Sequence, residues 1–392
     1  MWRNLLLLAG SLLFGLLLVE AGLRLIGYSN PNFYYPDPWA GATLKAGAEG
    51  LWKNEGRDYI RINSQGLRDW EHSLDKPADT LRVAVLGDSY TEALQLPMAH
   101  AYWHVAQQRL ASCPAVRGRK VEFINFGVSG YGTAQELQVL RHRVWAYQPD
   151  IVVLAFLTGN DLRNNSRALE GDPRRPYFLL KDGKLVLDDR FLQDGLYRLR
   201  LSPAAKVLYT AINYSRVLQL LNQFRQGFRI RTQLAHFKKA RKGQVQEAGL
   251  ADSIYRPPST RAWRDVWAVT EAILRTMAGE VKAHGSKLLV MTLSNGVDVD
   301  PDPAHRARAL KSLGVKDFDY PDKRVLEAAA SAGAATLQLS PKLRAWAEAH
   351  GECMHGWGEW GKNFHCGGHW NTNGHRITGE LLAEKICQDL LP

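Results

Sequence analysis

The chain has 392 residues, 45% of them hydrophobic, with 50 basic against 39 acidic side chains and a formal net charge of +11. That length and apolar content exclude a disordered chain or a small disulfide scaffold and leave room for a sizeable core. The excess charge is local: between Gly195 and Gln246 there is no acidic residue, while Arg198, Arg200, Lys206, Arg216, Arg225, Arg229, Arg231, Lys238, Lys239, Arg241 and Lys242 supply eleven positive charges, and the remaining 39 basic residues balance the 39 acids. Charge so concentrated implies an anionic neighbour, an anionic lipid surface or an acidic polysaccharide, and no motif for nucleic acid accompanies it.

In chain order, Arg3 precedes Leu5 to Val19, a run without charge that a translocon should accept. Two readings stay open: a signal cleaved near Val19-Glu20-Ala21, or an uncleaved anchor from about Leu5 to Ile26. Either takes the rest of the chain out of the cytoplasm, so residues 1–28 are assigned to an anchor or signal helix. Residues 29–80, rich in Tyr, Trp, Pro and Gly, read as a β-rich lead-in with an edge strand at Tyr59 to Asn63 and a turn near Gly66. Asn63 and Arg68 there suit a structural turn and salt bridge, with a substrate role as the rival reading.

From residue 81 to 392 apolar runs alternate with helical stretches. The strands expected are Arg82–Leu86, Val121–Phe126, Ile151–Leu157, Lys287–Leu293 and Ala335–Leu339, and the helices Glu92–Leu110, Thr133–Ala146, Thr260–His284, Asp322–Ala332 and Pro341–Ala349. Continuous apolar runs of this length predict a buried parallel sheet in a three-layer α/β/α arrangement. Residues 162–259 interrupt it as an insertion. It opens with a hairpin around Asp182-Gly183, continues in a helix started by Ser202 and Pro203 and running toward Phe224, and ends in the basic stretch. Starting at a strand end, it reads as a lid over that edge or as a solvated cationic surface.

Four blocks carry the chemistry. Gly87-Asp88-Ser89 ends the first strand, Asn125 to Gly132 follows the second, Gly159-Asn160-Asp161 follows the third, and His369 precedes the last helical stretch. A serine hydroxyl between a strand's carboxyl end and a helix's amino end is placed for nucleophilic attack, because backbone N–H groups and the helix dipole face the same point. In order and context these blocks resemble the SGNH (GDSL) hydrolase superfamily. The resemblance implies a flavodoxin-like sheet of order 2-1-3-4-5, with Ser89 as nucleophile, His369 as general base, and the N–H of Ser89, the N–H of Gly130 and the side-chain amide of Asn160 as oxyanion donors. Gly127 is assigned to the turn and His375 to a helix start. Ala93 stands where the family's glycine is usual.

The family's acid lies two or three residues before the histidine, where this chain has Cys366 and Gly367. His369 is then oriented by a backbone carbonyl or by a substitute acid such as Glu359, or catalysis is weak. Cys353 and Cys366 bracket a short loop that suits one disulfide, and the implied fold places the helices of Cys113 and Cys387 on one face, which suits a second. The rival use of Cys353, His355, His365 and Cys366 as a zinc site has spacings too tight for the usual patterns, and no metal or cofactor is expected. Trp357 and Trp360 beside the base read as core residues or as a platform for sugar rings. Taken together, the chain reads as an exported, membrane-anchored serine esterase that removes a small acyl group from a cell-surface polysaccharide. An O-acyltransferase using the same acyl-enzyme and a weakly active polysaccharide-binding or assembly protein are the alternatives.

Overall fold

Continuous apolar runs bury both faces of a strand, and four of the five strands of one parallel sheet do so here, while the edge strand Ala335–Gln338 buries only Leu337. The computed structural model describes residues 2–225, 251–357 and 365–391. Two antiparallel hairpins come first, β1 (Tyr34–Asp37) with β2 (Gly41–Leu44) and β3 (Glu49–Trp52) with β4 (Asp58–Arg61). The sheet then takes β5 (Thr80–Gly87), β6 (Lys120–Asn125) and β7 (Ile151–Leu157). After the insertion's hairpin, β8 (Tyr177–Lys181) with β9 (Lys184–Asp188), it adds β10 (Lys287–Leu293) and β11 (Ala335–Gln338). Its order is β11-β10-β7-β5-β6, the expected 2-1-3-4-5 arrangement of a three-layer α/β/α fold.

Alternate residues of each strand enter opposite cores. Ala84 and Leu86 of β5 and Val152, Leu154 and Phe156 of β7 meet helices Thr133–His142, Arg261–Ala283 and Tyr320–Ser331 on one face. Val83 and Val85 with Val153 and Ala155 meet helices Tyr102–Leu110, Ser340–His350 and Thr372–Lys385 on the other. A disulfide between Cys113 and Cys387 ties the first and last of this second set, and another joins Cys353 to Cys366.

The helices differ from expectation in three places. The helix expected from Glu92 to Leu110 is broken: Ala93 takes a left-handed φ of 55°, and after a short 3-10 turn at Met98–His100 the α-helix resumes only at Tyr102. The break sends Leu94 into one core and Leu96 into the other. A helix at Pro303–Leu313, capped by Asp302 with proline at its first position, was not anticipated although both start signals stand in the sequence. The helix begun at Pro203 ends at Tyr214 and resumes over residues 216–225. Arg229, Arg231, Lys238, Lys239, Arg241, Lys242, Glu359 and Trp360 lie outside the described residues.

The lead-in is bonded into the sheet. Arg68, 1% exposed, donates to the carbonyls of Glu92 at 3.1 Å and Leu96 at 2.5 Å and pairs with Asp58 at 3.2 Å. Asn63 closes its turn by accepting from Gln65 and Leu67 N–H and donating to the Trp70 carbonyl. Helix Trp2–Leu25 projects with no buried residue, and it is the one described helix long and apolar enough to cross a membrane. That helix and the two disulfides are features of a protein outside the cytoplasm.

Candidate active site

The carboxyl edge of the sheet gathers the four sequence blocks. At the end of β5, Asp88 caps the one-turn helix Ser89–Glu92 by accepting from the Tyr90 N–H at 3.0 Å, leaving the Ser89 hydroxyl half-buried at the edge. His369 arrives from the far end of the chain on a loop fixed by the Cys353–Cys366 disulfide and a bridge between His355 and Trp370. The Gly356 N–H donates to the His369 carbonyl at 2.9 Å. His369 Nε2 then lies 2.7 Å from Ser89 Oγ.

The carboxylate that faces His369 Nδ1 comes from the lead-in. Glu55, in the turn between β3 and β4, accepts from His369 Nδ1 through one oxygen and from the His369 N–H at 2.7 Å through the other. Burial alone raises the Glu55 carboxyl, but the hydrogen bonds and charge of His369 outweigh it and hold it below the usual carboxylate range. With Nδ1–H committed to Glu55, Nε2 is left as the acceptor for the serine proton. The close approach dictates Gly368: a Cβ there would stand 2.6 Å from Glu55 Oε1, at a left-handed φ of 93°. The absent acid before His369 was a signal that another segment supplies it, yet nothing around Glu55 distinguishes it among the chain's acids. Glu359, the substitute considered from sequence, is not described, and Glu55 occupies the place opposite Nδ1.

Asn160, at the end of β7, donates one amide hydrogen to Asp88 Oδ2 at 2.8 Å, which turns its amide toward the serine block and leaves a second hydrogen for a ligand. Gly130 lies on an exposed turn held from both sides. The Gly130 carbonyl accepts from Arg175 at 2.7 Å, and the preceding Ser129 gives its N–H at 3.1 Å and its hydroxyl to Glu92 Oε2. The Tyr34 hydroxyl also donates to that oxygen, at 3.0 Å. Burial pushes the Glu92 carboxyl up to about 7, against the opposing hydrogen bonds from Ser129 and Tyr34. Gly127 is a packing position: a Cβ would meet Thr91 Cβ at 2.6 Å. Beneath the site Asp88 is raised by burial, Glu136 is raised well above its ordinary value by burial and the charge of Asp88, and Asp161 by burial and the charges of Glu136 and Asp88.

The other sequence candidates fall outside this chemistry. Cys353 and Cys366 are bonded to each other, and His355, lowered to about 4 by burial, contacts the Gly368 carbonyl at 2.7 Å and the Ser294 hydroxyl at 2.9 Å, so the considered zinc set does not assemble. His375 is buried, lowered to about 3, and accepts from the Tyr102 N–H at 3.3 Å. Trp357 is half-buried and donates to the Trp370 carbonyl at 2.9 Å. Asp300, His305 and His365 hold donor atoms within 4.8 Å of one another, an arrangement that the two histidine–carboxylate contacts account for. A cleft of about 1180 Å³ starts at Gly130 and Asn160 and runs between the lead-in and the insertion, past Tyr35, Tyr197 and Tyr209.

No family model matches the chain, and no curated protein does. Among solved structures it is similar to a GDSL-like lipase from Parabacteroides merdae at 10% identity, over 78% of this chain and 94% of that one, with a TM-score of 0.39. It is similar to an acetylxylan esterase from Geobacillus stearothermophilus at 12% identity, over 79% and 96%, with a TM-score of 0.38. A lipase/acylhydrolase from Enterococcus faecalis matches at 13% identity, over 78% and 95%, also with a TM-score of 0.38. At such values the roles of Ser89, His369 and Glu55 are read from their own geometry.

Proposed function

We propose that the protein is a serine ester hydrolase of SGNH type whose triad is Ser89, His369 and Glu55. The observation that carries this reading is the unbroken chain from Ser89 Oγ through His369 Nε2 at 2.7 Å to Glu55 on Nδ1. Ser89 attacks the acyl carbonyl as His369 Nε2 takes its proton, and Glu55 stabilises the imidazolium that forms. The N–H groups of Ser89 and Gly130 and the free amide hydrogen of Asn160 receive the oxyanion. His369 then protonates the departing alcohol, and water attacks the acyl-enzyme by the same route.

The substrate is a small acyl ester on a cell-surface polysaccharide. Export and a cleft whose tyrosines present flat apolar faces with polar edges support this choice. Transfer of the acyl group to a sugar hydroxyl uses the same intermediate. Incubation of the purified full chain with a chromogenic acetate ester, with and without an oligosaccharide acceptor, separates the outcomes. Acetate released to water marks a hydrolase, acetylated sugar marks a transferase, and no turnover sinks both.

A further inference from the structure

Large apolar side chains are exposed well beyond the N-terminal helix. Helix Gly195–Leu201 exposes Leu196 and Leu199, helix Pro203–Tyr214 exposes Val207 and Leu208, and residues 216–225 expose Leu221 and Phe224, each by 57% or more. No residue of helix Pro203–Tyr214 is buried. A soluble monomer seldom leaves so much apolar surface in one short stretch.

Hydrogen bonds fix where this stretch stands relative to the spanning helix. Glu20 accepts from the Ser215 hydroxyl and the Val217 N–H, both at 3.0 Å. Arg24 donates to the Tyr214 carbonyl and the Tyr28 hydroxyl to Gln223, both at 2.5 Å. At 1.5 Å of rise per residue, the distance from Arg3 to Arg24 is about 32 Å, which matches a hydrocarbon core about 30 Å thick. Arg24 therefore marks the outer boundary together with Tyr214, and Glu20, with Ser215 and Val217 bonded to it, lies about 6 Å inside. Arg198, Arg200, Lys206, Arg216 and Arg225, in the same stretch, complement anionic headgroups. Leu199, Leu208 and Ile212 also line the cleft that ends at Gly130 and Asn160, so apolar side chains run from this surface toward the oxyanion positions.

We propose that residues 195–225 form a platform seated in the outer leaflet of an anionic phospholipid bilayer, at the foot of the spanning helix. The cleft then opens at the membrane surface and takes acylated glycans carried on a lipid. The platform is independent of the chemistry, whereas the choice of substrate rests on the esterase reading. All four cysteines are in disulfides, so one added thiol can be labelled selectively.

The test uses the full chain in nanodiscs containing phosphatidylglycerol, with bimane on Val207→Cys or Leu221→Cys. Lys282→Cys, at the opposite edge of the sheet, is the control. Lipid-borne doxyl groups should quench the labels at 207 and 221 and spare 282, with aqueous iodide doing the reverse; labels at 207 and 221 that behave like 282 overturn the platform. In the same nanodiscs, kcat/KM for acetylated dodecyl maltoside should exceed that for acetylated maltose by about tenfold or more, because only the former partitions into the bilayer. The triple variant Leu196→Glu, Val207→Glu, Leu221→Glu should lose that preference while keeping its turnover of a chromogenic acetate. No preference in the native chain, or one that survives in the variant, overturns the lipid-borne substrate. A native chain that cleaves no ester refutes the esterase reading and the substrate with it, while quenching still decides the platform.

Discussion

The lead-in and the insertion both lie outside the repeating sheet, and they are attached to it differently. The lead-in is locked by buried charge and polar bonds: Arg68 against the Glu92 and Leu96 carbonyls, Asp69 accepting the Asn125 N–H at 2.8 Å, and Tyr34 on Glu92. The insertion is buried at its root, where Arg175 grips Gly130 and Gln135, but no residue of its helix Pro203–Tyr214 is fully buried. Groups that meet reacting atoms must be held to within about half an ångström, and rigid support supplies that. The lead-in can therefore complete a triad, while the insertion can only shape the way in.

Ser89→Ala sets the scale, with an expected loss of about 10⁶ in kcat toward a small ester and no labelling by a serine-directed phosphonate. Turnover that persists would remove the site from the sheet edge altogether. Glu55→Ala should cost about 10⁴ in kcat, and Glu55→Gln should cost much the same because it withdraws the charge from His369. Glu359→Gln should leave turnover near that of the native chain; a larger loss there than at Glu55 would demote the lead-in to a scaffold. Asn160→Ala, at the root of the insertion, should lose about 10² to 10³ in kcat as one oxyanion donor disappears.

The smallest effect is one of stability. Glu92 has a folded value of about 7 against an ordinary 4.5, so the native state holds its proton more tightly than the unfolded chain. The contribution is whole below pH about 4.5 and is lost as pH rises through about 7, worth about 3 kcal/mol in all. Glu92→Gln stays neutral and keeps an acceptor for Ser129 and Tyr34. Its melting temperature should therefore gain on that of the native chain between pH 5 and 8; a constant difference would show that Glu92 carries no buried charge at the joint between lead-in and sheet.

The sheet was legible because its strands are continuous apolar runs, and β7 and β10 begin and end at the residues expected. That Ser89, Gly130, Asn160 and His369 would meet at one edge of the sheet was legible because each belongs to a block at a strand or helix end. Glu55 was not: its position follows from a hairpin that packs over the edge, a tertiary event with no local pattern. The break at Ala93 was hidden for the opposite reason, since local helical character was overridden by two cores competing for Leu94 and Leu96.

The Cys113–Cys387 bond spans 274 positions of sequence and encloses the entire insertion. A cut at any peptide bond between residues 226 and 250 would leave Ser89 and Glu55 on one fragment and His369 on the other, with the fragments still a single covalent molecule. Such a nicked protein should migrate as one band without reductant and as two with it. It should keep cleaving small esters until that bond is reduced, so the protein can lose the continuity of its chain without losing the continuity of its site.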